Sequence, residues 1–358
     1  MPYKILLLDD VPTNRAEVLQ ALTQAIGNKG RVEEFAPGVG GETEGIYEQR
    51  LIKDFSAAPN QNADLIVADR DLSGYRDNYP GLSEATVRLV ADSVGIPECG
   101  YARGEREGDL EYVGRGEQRE ACIRLSLKPL DRFAQQIVGI VEGFSEIRER
   151  IPEAIKTSTR SPGSIMASIL GKPEYGDKIS AYASGDQNRL DMLARLRNSK
   201  NKTESAQRLT CLLGYWLWDS VLRFPGVVVH TVAASSYLNI REDIFVQDEK
   251  LQGLFDAARY RGPFAGTRDR AWWRGMLDDI VAESGFKDGR EYASRKSGKD
   301  IPASQCYVDP SRTAGYYCML ARKPVSLANS KGGLPWFPRG ADIARVGTPK
   351  LDELGPWL

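Results

Sequence analysis

The first half of the chain alternates short apolar segments with segments of helical periodicity, and this alternation limits the folds open to it. The first apolar segment has the continuous character of a strand buried on both faces, and helices between strands require those strands to run parallel. We therefore expect an α/β fold with a doubly wound parallel sheet, followed by a mixed α/β or α+β second domain. The predicted strands are residues 4–9, 31–35, 63–69 and 121–127, and the predicted helices are 16–26, 82–94 and 130–147.

Charge divides the 358 residues into two unlike parts. Residues 1–150 contain 18 Lys and Arg against 26 Asp and Glu, whereas the remainder contains 30 against 23. An acidic part followed by a basic one indicates two domains with different partners, one of them a candidate for anionic ligands. Polar, Pro- and Gly-rich sequence separates the two. We expect a first domain over 1–148, a junction over 149–186 and an output domain over 187–358.

Cysteine, histidine and hydropathy argue against several classes of protein. Five cysteines without close pairs do not suggest a disulfide framework or a zinc ribbon, and one histidine does not make a polyhistidine metal site. No apolar run approaches the ~18 residues of a membrane span. The N-terminal sequence also lacks the pattern of a cleavable secretory signal. We therefore expect a cytoplasmic protein that makes no membrane contact.

Acidic residues and a lysine follow three of the predicted strands. Asp9 and Asp10 end the first, Asp69 ends the third, and Lys128 precedes Pro129 after the last. Because the carboxyl ends of parallel strands meet at one edge of a sheet, we expect these side chains to lie close together. Crowded carboxylates repel one another and favour a hard divalent cation such as Mg²⁺. Such an edge suits phosphoryl transfer to a carboxylate, with the lysine neutralising the phosphoryl oxygens.

Residues 1–148 resemble the receiver domain of response regulators, the phosphorylated proteins of two-component signal transduction. The resemblance rests on three stretches in the family's order: ILLLDDVPTNR at 5–15, DLIVADRDLSG at 64–74 and LKPLD at 127–131. It implies a magnesium-dependent phospho-acceptor site and an upstream kinase or small phosphoryl donor, since one histidine does not suggest that the chain is its own histidine kinase. The implied roles are phospho-acceptor for Asp69, Mg²⁺ ligation by Asp9, Asp10, Asp69 and the carbonyl of Asp71, phosphate contact for Lys128, and a cis bond before Pro129.

The sequence departs from the family at the residues that transmit phosphorylation. Receivers place Ser or Thr at the end of the fourth strand, where this chain has Ala102, and an aromatic residue three positions before the lysine, where it has Leu125. The loop over residues 104–116 is longer than usual. We therefore expect a complete acceptor site with an altered signalling route. Asp69-Arg-Asp71 is also similar to the nucleophile motif of haloacid dehalogenases, which that family carries on its first strand.

The second half carries no family pattern that we recognise, and three functions stay open for it. The first is an output domain that binds a partner protein under control of the receiver-like domain. The second is regulated DNA or RNA binding, in which basic residues neutralise phosphates and tryptophans stack on bases. The third is an effector enzyme, such as a hydrolase, that uses His230 with a cysteine or serine nucleophile. The candidate nucleic-acid contacts are Arg268, Arg270 and Arg274, and the candidate nucleophiles are Cys211, Cys306, Cys318, Ser235 and Ser236.

Overall fold

A five-stranded sheet occupies the first half of the chain, and all of its strands run parallel. The computed structural model describes residues 2–37, 47–75, 79, 82–102, 122–157, 161–182 and 202–355. The strands are β1 Tyr3–Leu8, β2 Gly30–Glu34, β3 Leu65–Asp69, β4 Glu98–Ala102 and β5 Arg124–Ser126. Their order in the sheet is β2-β1-β3-β4-β5.

Helices supply the apolar side chains that pack against this sheet. Alternate residues of β1 enter two different hydrophobic clusters: Ile5 and Leu7 lie in one, and Leu6 and Leu8 in the other. Burial on both faces explains why the strand is a continuous apolar run. The mixed α/β class and the parallel sheet agree with the prediction. The helices are α1 Pro12–Ile26, α2 Tyr47–Ser56, α3 Glu84–Val94 and α4 Leu130–Thr157.

Local sequence explains where these helices begin and end. Pro12 occupies the first turn of α1, where a missing N–H leaves no helical hydrogen bond unmade. Ser83 caps α3, its Oγ accepting the N–H of Thr86 at 3.3 Å, and Gly95 ends that helix in the left-handed region at φ 73°.

The second half combines short helices with two small sheets. The helices are α5 Pro162–Ile169, α6 Gly176–Ser180, α7 Lys202–Trp216, α8 Thr231–Tyr237, α9 Glu242–Gln247, α10 Glu249–Gly253, α11 Arg274–Ser284, α12 Gly289–Ser297 and α13 Thr348–Leu354. The strands are β6 Val228–His230, β7 Ala271–Trp273, β8 Tyr316–Cys318, β9 Lys323–Val325, β10 Ser330–Lys331 and β11 Ala344–Gly347. β6 and β7 pair antiparallel in one sheet, and the other sheet has the order β10-β11-β8-β9. A π-helical turn at Leu217–Val221 continues α7.

Two segments of the second half differ from the sequence-based prediction. The helical periodicity of residues 270–284 predicts a helix from Arg270, but Trp272 and Trp273 pair with Val229 and Val228 of β6, and the helix begins only at Arg274. The many Pro and Gly residues after residue 323 predict an extended covering segment, yet this part of the chain contains β9, β10, β11 and α13. Proline is tolerated in β9 because β9 is the edge strand of its sheet.

Helix α4 is longer than predicted and carries contacts between the two halves. It continues ten residues beyond the expected end, through Pro152, because Ile147, Ile151 and Ala154 extend its buried stripe. One hydrophobic cluster contains side chains from β1 through β11. The division at residues 148 and 186 stays a prediction. Among the helices of the described ranges, none is both long and apolar enough to cross a membrane.

Candidate functional site

Asp9 and Asp69 lie at the carboxyl edge of the parallel sheet. Leu8 of β1 pairs with Ala68 of β3, so the residues that follow these two come next to each other. Both carboxylates are buried. Burial, and then the negative charge of Asp9 with a smaller contribution from Asp10, raises the pKa of Asp69 from 3.8 to about 6. Asp9 and Asp69 therefore lie together at this edge, and Asp10 is close enough for its charge to act on Asp69.

The Asp9 side chain is held by donors on both of its oxygens. Oδ1 accepts the N–H of Val11 at 2.9 Å, and Oδ2 accepts the hydroxyl of Tyr101 at 2.6 Å. Arg15 fixes the backbone at the same point by donating to the Asp9 carbonyl at 2.9 Å. These bonds satisfy a carboxylate that has no exposed surface.

The loop after β3 folds over the same edge. Asp10 Oδ2 accepts the N–H of Gly74, and the N–H of Asp71 approaches Asp69 Oδ1 at 3.4 Å. The Asp71 side chain is exposed and turns along the chain, where its Oδ1 accepts the N–H of Ser73 at 3.1 Å. Hydrogen bonds from Ser73 lower the pKa of Asp71. The side chains of Asp10 and Asp71 thus accept hydrogen bonds from backbone N–H groups of this loop.

Lys128 follows β5, and its bond to Pro129 is cis, the form that the resemblance implies. Ser126 secures the backbone here: its Oγ accepts the Lys128 N–H and donates to the Lys128 carbonyl, both at 3.3 Å. The Lys128 side chain is exposed and forms no ion pair with any residue that the structure describes. Its ammonium group is therefore available to an anion at the sheet edge.

The donor set at this edge fits Mg²⁺ in its chemistry. Carboxylate oxygens are the ligands that this cation prefers, and a divalent charge would relieve the repulsion that adds to burial in raising the pKa of Asp69. In the described part of the chain, however, no group of three or more His, Cys, Asp or Glu side chains is arranged as a metal site. Asp9 and Asp10 are instead bonded to Val11, Tyr101 and Gly74. Binding a cation would require these side chains to share or exchange those donors.

Tyr101 is a member of the site that the sequence did not identify. It pairs with Asp69 in the register of β3 and β4, it is buried, and its ring packs edge-on against Phe133 of α4 with centroids 5.4 Å apart. The only available signal was its place next to Ala102, the position at which the receiver family has a hydroxyl side chain. In this chain the residue before Ala102, Tyr101, brings a hydroxyl group to the site.

His230, Arg268 and Arg270 were singled out for two separate functions, and they line one cavity of about 410 Å³. Arg274 is not among the described lining residues, and its Nη1 forms an ion pair with Asp342 at 2.7 Å. Trp272 and Trp273, the tryptophans between Arg270 and Arg274 in the sequence, are buried at 1% and 4% exposure, so their faces do not offer a surface to bases. Binding of DNA or RNA stays a prediction.

The candidate nucleophiles for His230 have other partners or lie elsewhere among the residues that the structure describes, and the effector-enzyme function stays a prediction. Ser235 donates to the carbonyl of Val232 at 2.8 Å, and Ser236 to that of Tyr316 at 2.7 Å. Cys211, Cys306 and Cys318 are absent from the described lining of the cavity. Burial, and then the positive charges of Arg268 and Arg322, lowers the pKa of His230 from 6.5 to about 4. The imidazole is therefore neutral near pH 7.

No family model, curated protein or solved structure matches this chain. The resemblance to receivers therefore depends on the three sequence stretches together with the geometry of the sheet edge. The functional interpretation of the second half rests on the side chains of that half alone.

Proposed function

We propose that this chain is a response-regulator-like signalling protein in which Asp69 accepts a phosphoryl group. The observation that carries the proposal is the meeting of Asp9, Asp10 and Asp69 at the carboxyl edge of a sheet ordered β2-β1-β3-β4-β5. Lys128 and a cis proline follow the last strand of that sheet. This arrangement supports a doubly wound receiver-like unit.

In the proposed reaction, a carboxylate oxygen of Asp69 attacks the phosphorus of a donor. The bond between phosphorus and the leaving group breaks, and the leaving group departs with its electron pair and takes a proton from water. Asp69 is mostly ionised at pH 7 because its pKa is about 6, so the nucleophile is present. Lys128, exposed at the same edge, contacts the phosphoryl oxygens and offsets their charge.

The residues that would hold Mg²⁺ are Asp9, Asp10, Asp69 and the carbonyl of Asp71. A bound Mg²⁺ would neutralise charge on the phosphoryl oxygens. The chain's own contribution is to orient the acceptor, since the N–H of Asp71 points to Asp69 Oδ1. Tyr101 orients Asp9 through its hydroxyl.

The contacts behind the site support control of the second half. Tyr101 reaches from Asp9 to Phe133 on α4. Its own strand, β4, is joined to α7 because the Tyr215 hydroxyl accepts the N–H of Glu98 at 2.6 Å and donates to the Glu98 carbonyl at 3.0 Å. We infer that these two connections replace the Ser/Thr and aromatic pair of the family. The expected output is binding of a partner protein.

Intact-protein mass spectrometry tests the proposal. The full chain is incubated with Mg²⁺ and phosphoramidate, whose P–N bond breaks to release ammonia. We expect one added phosphoryl group on the wild type and on Asp309→Asn, which changes a partly exposed carboxylate outside the site, and none on Asp69→Asn. Equal labelling of wild type and Asp69→Asn, or no labelling of folded wild type, would refute it.

A further inference from the structure

The cavity beside β6 and β7 is a second candidate binding site, distant in sequence from the acidic residues. Its volume of about 410 Å³ is within the range of small-molecule sites. Leu222, Tyr260 and Phe264 contribute apolar and aromatic walls, and His230 ends β6 at the cavity surface. The site therefore combines room for an organic group with polar side chains.

Positive charge dominates the lining. Four arginines, at positions 259, 261, 268 and 270, face a single lining carboxylate, Asp269. Asp256 pairs with both Arg259 and Arg261, and Glu249 pairs with Arg270 at 2.6 Å. Counted over the described ion pairs and lining residues, four arginines stand against three carboxylates, Asp269 and these two partners. Arg322, whose charge also acts on His230, adds to the excess.

Arg268 and His230 are held in place at this surface. The Arg268 guanidinium lies over the Trp218 ring, 4.0 Å from its centroid. The His230 ring meets the ring of Tyr317 with centroids 4.4 Å apart, and its nitrogens form no hydrogen bond with any residue in the described ranges. A neutral imidazole carries one N–H, which is a donor for an acceptor group of a ligand in the cavity.

The loop that supplies most of the lining is anchored to α4. Gln136 Nε2 donates to the Thr267 carbonyl at 3.1 Å, and the Phe264 ring packs against Phe144 with centroids 5.2 Å apart. Thr267 Oγ closes the loop by donating to the Phe264 carbonyl at 2.7 Å. The walls are thus preformed, which reduces the entropic cost of binding.

We propose that this cavity binds a small phosphate ester, with Arg268, Arg270 and His230 around the phosphate and the organic group against Tyr260 and Phe264. A phosphate monoester presents three terminal oxygens to planar guanidinium donors and carries enough charge to balance the arginine excess. The volume exceeds that of a phosphate ion alone, which favours an ester. This inference does not depend on phosphorylation of Asp69.

The chain contains one histidine, which makes the test direct. In protein labelled with ¹⁵N-histidine and purified without a histidine tag, every imidazole signal comes from His230. We expect AMP to shift these signals saturably and to raise the His230 pKa, because a bound anion favours the imidazolium. Inorganic phosphate should act more weakly and adenosine not at all. Absence of any shift with AMP would overturn the proposal, as would an equal shift with citrate.

Variants supply the second arm of the test. Arg268→Gln should weaken AMP binding by about tenfold or more, the loss expected for a hydrogen bond to a charged group. Arg295→Gln removes an exposed arginine of α12 and should leave AMP affinity unchanged. Circular dichroism checks that both variants fold. Unchanged affinity in folded Arg268→Gln would contradict the assignment, and the wild-type titration decides the matter if that variant does not fold.

Discussion

The Tyr101 hydroxyl donates a 2.6 Å hydrogen bond to Asp9 Oδ2, so β4 contributes a residue to the candidate acceptor site. The Tyr101 ring packs against Phe133, near the start of α4. The same helix anchors the loop that lines the arginine-rich cavity, through Gln136. One helix therefore contacts both candidate sites of the molecule.

Tyr101→Phe removes only the hydroxyl that binds Asp9. We expect the free energy of unfolding to fall by about 2 kcal/mol, because a buried carboxylate oxygen loses its donor. Tyr237→Phe is the matched control, since it removes a hydrogen bond to the exposed Asp278. Urea denaturation measures both. An equal, small effect of the two substitutions would show that the Tyr101 bond does not stabilise the site.

Asp69 should make the protein less stable as pH rises from about 4 to 6. Its pKa is 3.8 when unperturbed and about 6 when folded, so the folded state binds more protons in this interval. After allowance for solvent screening, Asp69→Asn should be more stable than wild type at pH 7.5 by about 1–2 kcal/mol. The advantage should vanish near pH 4. Denaturation across pH checks this, with Asp309→Asn as a control that gains nothing at neutral pH.

The titration of His230 should change stability with pH in the opposite direction. Its pKa falls from 6.5 to about 4 on folding, so the unfolded chain binds more protons between these values and stability decreases as pH is lowered. His230→Gln should flatten this slope, by at most about 1.4 kcal/mol per pH unit for one proton. The change will be clearest in the Asp69→Asn background, where the opposing titration is absent. An unaltered slope in that background would mean that folding does not change the pKa of His230.

Gly143 allows the cavity loop to lie against α4. A Cβ at this position would come within 2.3 Å of Phe264 Cδ1 and 2.8 Å of Phe264 N. Gly143→Ala should therefore displace the loop and lower stability by about 1–3 kcal/mol. Gly253→Ala is the control, because a Cβ there meets nothing within 4 Å. Thermal unfolding compares the two, and equal melting temperatures would contradict the packing described.

The sequence predicted the features that local pattern determines. β1 and β3 are buried on both faces, so each is a continuous apolar run, and the acids that follow them could be assigned to one edge. Other features depend on partners remote in sequence. Tyr101 and Asp9 are separated by 92 positions. His230 lies beside Ala271 only because β6 and β7 pair antiparallel, and neither segment alone indicates that pairing.

Locating the phosphoryl group is the most direct test of the central claim. The full chain is treated with Mg²⁺ and phosphoramidate and then reduced with borohydride, which converts an aspartyl phosphate to homoserine. Tandem mass spectrometry of the digest identifies the converted residue. The account predicts homoserine at position 69 alone. Homoserine at position 10 or 71, or none in protein that is folded, would contradict it.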